Sequence, residues 1–415
     1  MAKSKQKIFV AVSGGVDSSV ALALLKKQGY DVTGCFMKNW SRDLPGLECN
    51  WVGDREDAIR VCAALGVPFR TVDLEDAYYK KVFKDFISEY KRGRTPNPDI
   101  LCNSEVKFKA FLEWAIANGA DMIATGHYAR LWREFPISNF QFPNKQGADI
   151  KNLKTKAEYK LLAAADENKD QSYFLYRLGQ KELARTLFPI GEYAKPHVRA
   201  LAKKFGLPTA AKPDSQGVCF VGEVSLETFL QNYITPTPGK IVRLPFKKHT
   251  NKLENVGMLS GDVIGEHAGV WYYTIGQRHG LGVRGGLPAE ASVKAGGGGE
   301  ALYVAAKDVE QNILYVAPKD HPSLYKKEVT LMNVHWVAGK PPKMPLECQA
   351  RIRYRQPLQD VRILKHETWS MKHRKKMLQA SSFKLCFAEP QWAAAPGQSV
   401  VFYHDDAVLG GGMIA

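Results

Sequence analysis

Between residues 7 and 130 the apolar positions switch back and forth between two periods. A continuous apolar run at 7–13 reads as a buried strand and leads straight into a glycine turn. Val20-Ala-Leu-Ala-Leu-Leu then keeps a helical spacing up to Gly29. The same alternation predicts helix 18–28, strand 32–37, helix 54–65, strand 69–73, helix 77–91, helix 106–118 and strand 122–126. Strands that take turns with helices form an α/β fold, a doubly wound parallel sheet. Ligands of such sheets lie beyond the carboxyl ends of the strands. Three loops are therefore expected on one rim: Ser13–Ser19, the stretch after Met37, and Thr125-Gly126-His127.

The pattern changes twice further along. Residues 133–158 have no period and collect Pro136, Asn139, Pro143, Asn144 and Gly147, which predicts a surface loop. Helical spacing returns near 169–179 and near 195–205, where Pro196 suits a first turn. From about residue 235, glycine-rich segments with short strands such as Val270-Trp-Tyr-Tyr-Thr-Ile suggest a second, β-rich unit; Ala295–Glu300 reads as a flexible loop. Short alternating segments from Val329 onward, among them Arg351-Ile-Arg-Tyr-Arg and Gln398-Ser-Val-Val-Phe-Tyr, predict a small β-barrel or sandwich. The expected division is a catalytic unit at 1–225, a small central domain at 226–324 and a C-terminal β-barrel at 325–415.

A chain of 415 residues is long enough for two or three such cores. Its net charge of +16 points to a polyanionic partner, and residues 325–415 contribute 14 Lys/Arg against 7 Asp/Glu. No apolar run approaches the roughly 18 residues of a membrane span, and the first strand begins at Lys7 or Ile8, so a cytoplasmic protein with no membrane partner is expected. Seven irregularly spaced cysteines do not make a secreted disulfide framework, and the lack of any C-x-x-C pair argues against structural zinc. Cys35, Cys62, Cys348 and Cys386 are expected in the core, and Cys49 lies in a loop where redox exchange stays open.

The glycine turn is the sharpest chemical signal. Ser13-Gly14-Gly15-Val16-Asp17-Ser18-Ser19 can turn tightly and aim several N–H groups and a helix N-terminus at one anion. It lacks the lysine of a G-x-x-x-x-G-K-[ST] loop. It resembles instead the loop of the pyrophosphate-loop ATPases, which cleave ATP between the α and β phosphates and adenylate a substrate. A second signal is Thr95-Pro-Asn-Pro-Asp-Ile-Leu-Cys102-Asn103. Two prolines stiffen the segment ahead of the helix expected to start near Glu105, so that Asp99 and Cys102 can be held in fixed relation. A carboxylate beside a thiol can move protons, and a thiol near a helix N-terminus ionises more easily. Pro213-Asp-Ser-Gln-Gly-Val-Cys219-Phe carries another cysteine in a polar loop, which only the fold could bring to Cys102.

These segments occur in order with Gly93-Arg-Thr, Ala124-Thr-Gly-His-Tyr-Ala-Arg, Lys169-Asp-Gln-Ser-Tyr-Phe-Leu, Tyr273-Thr-Ile-Gly-Gln-Arg and Pro396-Gly-Gln-Ser. The ordered set resembles the tRNA-specific 2-thiouridylases over nearly the whole chain. The resemblance implies adenylation of the C2 oxygen of the wobble uridine, followed by its displacement by persulfide sulfur. It implies that Cys219 carries the persulfide, that Cys102 attacks it to release sulfur through a transient disulfide, and that Asp99 is the general acid/base. Asn97, Pro98 and Asp99 would shape the base pocket. ATP would be held by Ala11, Val12, Ser13, Gly14, Gly15, Val16, Asp17 and Ser18, with Met37 and Gly126. Contacts to tRNA would come from His127, Lys169, Asp170, Gln171, Arg353, Tyr354 and Gln398. Mg²⁺ is expected with ATP, since the loop has no lysine to offset phosphate charge. A persulfide donor protein or relay is the expected partner besides tRNA, and the enzyme is expected to act as a monomer.

Two rivals remain on the sequence. One is a pyrophosphate-loop ligase of the amidase type, which needs neither Cys102 nor Cys219. The other is a non-catalytic RNA-binding protein, against which an intact Ser13–Ser19 loop and Asp99 argue. The tract 365–376, with Lys372, His373, Arg374, Lys375 and Lys376, is read equally as a phosphate-binding loop or a solvated run. Trp40, Trp51 and Trp114 are expected to pack, and Gly280-Leu-Gly-Val-Arg-Gly-Gly to be a turn-rich loop.

Overall fold

Strand β1 (Lys7–Ala11) lies at the centre of a parallel sheet, between β2 (Asp31–Lys38) and β4 (Met122–Thr125), with β3 (Phe69–Asp73) outside β2. A hairpin of β5 (Arg130–Glu134) and β6 (Glu158–Leu162) then leaves the sheet before β7 (Thr186–Leu187) returns to pair with β4. The computed structural model describes residues 5–41, 51–134, 158–213, 225–245, 261–281, 300–365 and 383–415, and the backbone of 283–284 and 287–288. The order β3-β2-β1-β4-β7 reverses direction between β1 and β4, and a ligand crevice opens at such a reversal. Every pairing in this sheet is parallel, which agrees with the doubly wound expectation.

Helix α1 (Val16–Lys27) is apolar on nearly all sides and is sandwiched by the sheet and α8 (Lys195–Lys204), so it reads as a buried rather than an amphipathic helix. Gly29, at φ 90°, closes it. Helix α2 (Trp51–Leu65) follows β2; α3 (Glu75–Tyr78) and α4 (Lys84–Lys91) are joined by a π-helical turn at Tyr79–Phe83. The expected helix at 106–118 begins earlier, as α5 (Pro98–Leu101). It continues through a π-helical stretch, Cys102–Ala110, into α6 (Phe111–Ala117). The cause is local: the Asn97 carboxamide oxygen accepts the Asp99 N–H at 3.1 Å, and Pro98 occupies the first helical position.

The helix expected near 169–179 does not form. Ser172–Leu175 is a single 3₁₀ turn, followed by the short α7 (Gln180–Leu183). Asp170 bends the chain there by accepting from the N–H groups of Ala164 and Ser172, and Tyr173 and Tyr176 turn toward the C-terminal domain. That tertiary burial overrides the helical spacing.

The central unit opens with α9 (Leu226–Gln231). It contains β8 (Gly239–Arg243), β9 (Asp262–His267), a two-residue ladder of β10 (Val283–Arg284) with β11 (Leu287–Pro288), β12 (Leu302–Asp308) and β13 (Ile313–Pro318). Its main sheet runs β12-β13-β8-β9. The strand expected at Val270–Ile275 is instead a 3₁₀ turn at Val270–Tyr272, because Asn312 captures the Val270 N–H and Gly269 reverses the chain at φ 146°.

The C-terminal domain is a closed barrel of β14 (Tyr325–Trp336), β15 (Leu346–Arg351), β16 (Gln359–Lys365), β17 (Phe383–Trp392), β18 (Ser399–His404) and β19 (Ala407–Ile414). The order is β14-β17-β16-β15-β18-β19, and β14 pairs with β19 to close it. The strand expected at Arg351–Arg355 ends at Arg351; Arg355 sits in a turn at φ 63°. The β5–β6 hairpin adds to the outside of the barrel where Leu162 pairs with Ala407. The ends of the expected surface loop 133–158 are therefore strand, and its interior, 135–157, lies outside the described residues. Cys35 and Cys62 are core residues as expected, with thiols pushed up by burial to about 12 and about 11. Cys348 and Cys386 are only half-buried, a departure from the core expectation, since both lie on barrel strands where one face meets solvent.

Candidate active site

The nucleotide loop follows β1 directly. The Ser13 N–H donates to the Ser18 hydroxyl at 3.1 Å, and the Ser19 hydroxyl donates back to the Gly15 carbonyl at 2.7 Å, which fixes the turn onto α1. Gly14 has φ 76°, and a Cβ there would run into the Asp54 backbone of α2. Across the switch point, a Cβ at Gly126 would lie 2.5 Å from the Ser18 nitrogen. Gly14 thus lets the loop lie against α2, and Gly126 lets the β4 loop lie against the start of α1, leaving a backbone cradle of the kind that holds phosphate. Ala11, Val12, the loop to Ser18, Met37 at the end of β2, and Gly126 all meet on this rim.

The loop has no lysine of its own, but the fold supplies one. Lys195, the first residue of α8 and only 8% exposed, places Nζ 2.8 Å from both Asp17 carboxylate oxygens. Tyr128 donates its hydroxyl to Asp17 at 2.9 Å. Sequence reasoning missed Lys195 because 178 positions separate it from Asp17; Pro196 beside it marked only a helix start. Among the described residues no group of three or more His, Cys, Asp or Glu could hold a metal. Asp17, among the described residues of the loop, is a carboxylate of the kind that would hold a hydrated Mg²⁺ together with phosphate oxygens.

Asp99 and Cys102 are set by α5 and the π-helical turn behind it. Burial lifts the Asp99 carboxyl above the usual carboxylate range, and the Lys107 ammonium partly opposes that. Cys102 is 3% exposed. His127, next to Gly126, is held by a 2.8 Å hydrogen bond between Nδ1 and the Thr125 hydroxyl and lies against the rings of Phe108 and Phe188. Burial first, then Lys107, holds its imidazole well below the usual histidine range, so it is neutral at physiological pH. The charge of Lys107 reaches both Asp99 and His127, which joins the Asp99 loop to the nucleotide rim. Sequence reasoning passed over Lys107 because it sits inside a helical pattern with no motif around it.

The remaining expected site residues gather at the seam between the catalytic domain and the barrel. Asp170 is 3% exposed and fully engaged: besides the two N–H groups it accepts from the Ser172 hydroxyl at 2.9 Å, and Arg351 lies 3.7 Å away. Gln171 accepts the Tyr128 N–H at 2.9 Å. Arg353 donates to the Ala393 carbonyl at 2.8 Å and stacks over Trp392, while Tyr354 packs on Phe174. The Gln398 carboxamide oxygen is buried with no hydrogen-bond partner among the described residues. Arg355 was not singled out from the sequence; its exposed guanidinium lies 5.0 Å from the Tyr354 ring centre. Cys219 and Cys49 lie outside the described residues, as do all of 366–376. Trp40 is buried among Tyr78, Tyr79 and Phe83, and Trp114 packs on Phe9 and Phe111.

A parallel-sheet domain, a small β-rich central domain and a closed C-terminal barrel make a three-domain protein, and its domains match those of tRNA-modifying enzymes. Residues 6–223 match the family model described as a tRNA methyl transferase HUP domain, 227–318 its PRC-barrel domain, and 326–414 an aminomethyltransferase beta-barrel domain. The tRNA-specific 2-thiouridylase MnmA of Geobacillus thermodenitrificans is 44% identical over 414 residues, covering 100% of this chain and 95% of its own. That of Nitrosomonas eutropha is 43% identical over 412 residues, covering 99% of each. The chain belongs to the tRNA-specific 2-thiouridylase family. Among solved structures, a 4-thiouridine synthetase–RNA complex with bound ATP aligns with a TM-score of 0.30 at 16% identity, covering 52% of this chain and 45% of that one. Among the described residues no helix is long and apolar enough to cross a membrane.

Proposed function

We propose that the protein adenylates the C2 oxygen of the tRNA wobble uridine with ATP and replaces that oxygen with sulfur delivered by a Cys219 persulfide. The observation that carries this reading is the shared rim: Asp99 and His127 both feel Lys107, and His127 adjoins the Gly126 backbone that faces the nucleotide loop. Asp99, Asn97 and Pro98 receive the base. Ionised Asp99 takes the uracil N3 proton as O2 attacks the α-phosphorus and pyrophosphate leaves. A carboxyl lifted toward working pH can both take and return that proton. The terminal sulfur of the Cys219 persulfide then attacks C2, and AMP leaves with the oxygen. The Cys102 thiolate attacks the Cys219 sulfur, the persulfide S–S bond breaks, and its electron pair stays with the sulfur now on C2. This leaves a Cys102–Cys219 disulfide, which an external thiol must reduce by two electrons.

Lys195 and the loop N–H groups hold the phosphates; Asp17 is the residue that would hold a Mg²⁺, which would supply further neutralisation of phosphate charge. His127, Lys169, Gln171, Arg353, Tyr354 and Gln398 meet the tRNA, with Asp170 acting from beneath by ordering its neighbours. A persulfide donor loads Cys219, and one chain suffices for catalysis in the cytoplasm. The test is nucleoside mass spectrometry of tRNA incubated with enzyme, ATP and a persulfide donor. Wild type should form 2-thiouridine with AMP and pyrophosphate. Asp99→Asn should abolish pyrophosphate release, whereas Cys219→Ser should keep it and form no 2-thiouridine. Full thiolation by Cys219→Ser, or ADP as product, would overturn the reading.

A further inference from the structure

The Tyr273-Thr-Ile-Gly-Gln-Arg278 segment of the central domain stands far along the chain from every residue given a role above. Its Tyr273–Gln277 portion is nevertheless tied to its surroundings. The Thr274 N–H donates to the Gln277 carboxamide oxygen at 3.0 Å and the Gln277 N–H returns to the Thr274 carbonyl at 2.9 Å, which closes a rigid turn. Two main-chain bonds tie that turn to β12: Gly276 N–H to the Val304 carbonyl at 2.8 Å, and Val304 N–H to the Gln277 carbonyl at 3.0 Å. The Lys307 ammonium donates to the Tyr273 carbonyl at 2.7 Å. Gly276 has φ 85°, and a Cβ there would strike Ala393 and Trp392 of the barrel. The turn is thus fixed on two sides, and the side chain it presents on the third is Thr274, whose hydroxyl lies 3.2 Å from that of Thr95.

Thr95 opens the loop that carries Asn97, Pro98 and Asp99. Its N–H donates to the Pro396 carbonyl of the barrel at 2.9 Å, and Gly397, at φ 89°, leaves no room for a Cβ beside Arg94 and Thr95. Just before it, Gly93 at φ 72° lies against Val309 of the central domain. Pro96 and Pro98 remove two soft torsions between Thr95 and Asp99, so an orientation imposed at Thr95 carries through to the carboxylate. We propose that the Tyr273–Arg278 turn is a latch, in which Thr274 is a positioning residue that holds Thr95 and thereby aims Asp99 at the target base. The central domain then has a catalytic purpose although it supplies no reacting group. This inference rests on the role proposed for Asp99.

The test uses the full-length enzyme with ATP and a tRNA carrying the wobble uridine, and reads tRNA-dependent pyrophosphate release. Thr274→Val keeps the shape and removes the hydroxyl, and a lost hydrogen bond of this kind should lower kcat roughly 3- to 10-fold. The KM for ATP should stay within about twofold, because the phosphate cradle is untouched. Thr274→Ser should restore the rate. Thr95→Val should match Thr274→Val, and the double variant should be no slower than either, as for two halves of one bond. A loosened loop admits water to the Asp99 carboxyl, so the acid limb of the kcat profile should move to lower pH in Thr274→Val. An unchanged kcat and limb, or additive losses in the double variant, would each overturn the latch. Wild-type pyrophosphate release by Asp99→Asn alone would overturn the Asp99 reading, and the latch with it.

Discussion

Lys195 shows how one residue can change the electrostatics of a site that looks complete without it. The glycine loop offers backbone N–H groups and a helix N-terminus, which together carry only about half a unit of positive charge. Lys195 adds a full charge within the same cradle, held on Asp17 and ready to exchange that carboxylate for phosphate oxygens. Lys195→Met should therefore raise the KM for ATP by roughly tenfold or more, the cost of about 1.5–3 kcal/mol for one charge-assisted hydrogen bond. Affinity for tRNA should be unchanged, since Lys195 is paired with Asp17 of the nucleotide loop. Calorimetry with ATP and a tRNA filter-binding assay would check both halves, and equal ATP affinity in the variant would remove Lys195 from the site. Asp99 and His127 illustrate the complementary effect, in which burial moves a carboxyl up and an imidazole down, so that each favours its uncharged form.

At the scale of elements, the site depends on two loops approaching closer than side chains permit. Gly126 at the end of β4 and Ser18 on α1 leave no space for a methyl group, and the atoms in the way are backbone, which cannot swing aside. Gly126→Ala should therefore force β4 and α1 apart. ATP-dependent pyrophosphate release should fall at least tenfold, while the thermal midpoint drops by a few degrees, as for roughly 1–3 kcal/mol of overpacking in a chain of this size. A pyrophosphate-release assay beside a melting curve would separate the two, and a variant with normal turnover would show that the approach is not needed for catalysis. The π-helical stretch Cys102–Ala110 is the other element whose form matters. Its wider turn brings Cys102 and Asn103 inward after the Asn97 cap, a backbone form found often at functional sites.

At the scale of the whole molecule, the apolar core does not respect the domain borders. One buried cluster runs from Phe9 and Ile123 through Tyr173 and Tyr176 to Val401 and Tyr403, and reaches Val304 and Leu314 in the central domain. The buried hydroxyls of Tyr173 and Tyr176 meet Ser399, and Gln180 meets Val337, so the barrel is seated by polar fit as well as by area. That seating puts Arg353, Tyr354 and Arg355 at the seam beside the rim. If the barrel clamps the tRNA backbone, affinity should fall steeply with salt as phosphate contacts release counterions. Neutralising Lys372, Arg374, Lys375 and Lys376 together should flatten the salt slope by up to about four units, with turnover at saturating tRNA little changed. Binding titrations from low to high salt would measure it, and an unchanged slope would leave that tract a solvated face and move the clamp to Arg351–Arg355.

The sequence by itself determined what is local. Periodicity and glycine placement set β1 to β4 and α1 in order, and the glycines of Ser13–Ser19 the turn between strand and helix, because strand, turn and helix signals act over a few residues. Asn97 and Pro98 held a helix start that was legible in the residues, though the expected start near Glu105 came too late. The failures share one physical reason. The segments 169–179, 270–275 and 351–355 have an apolar spacing that fits an element, yet their shapes are decided by what they pack on: the barrel, Asn312, and the seam around Trp392 and Phe174. Only the tertiary structure could bring Lys195 to Asp17 and Thr274 to Thr95, since these pairings span 178 and 179 positions and cost chain entropy that only a collapsed core offsets.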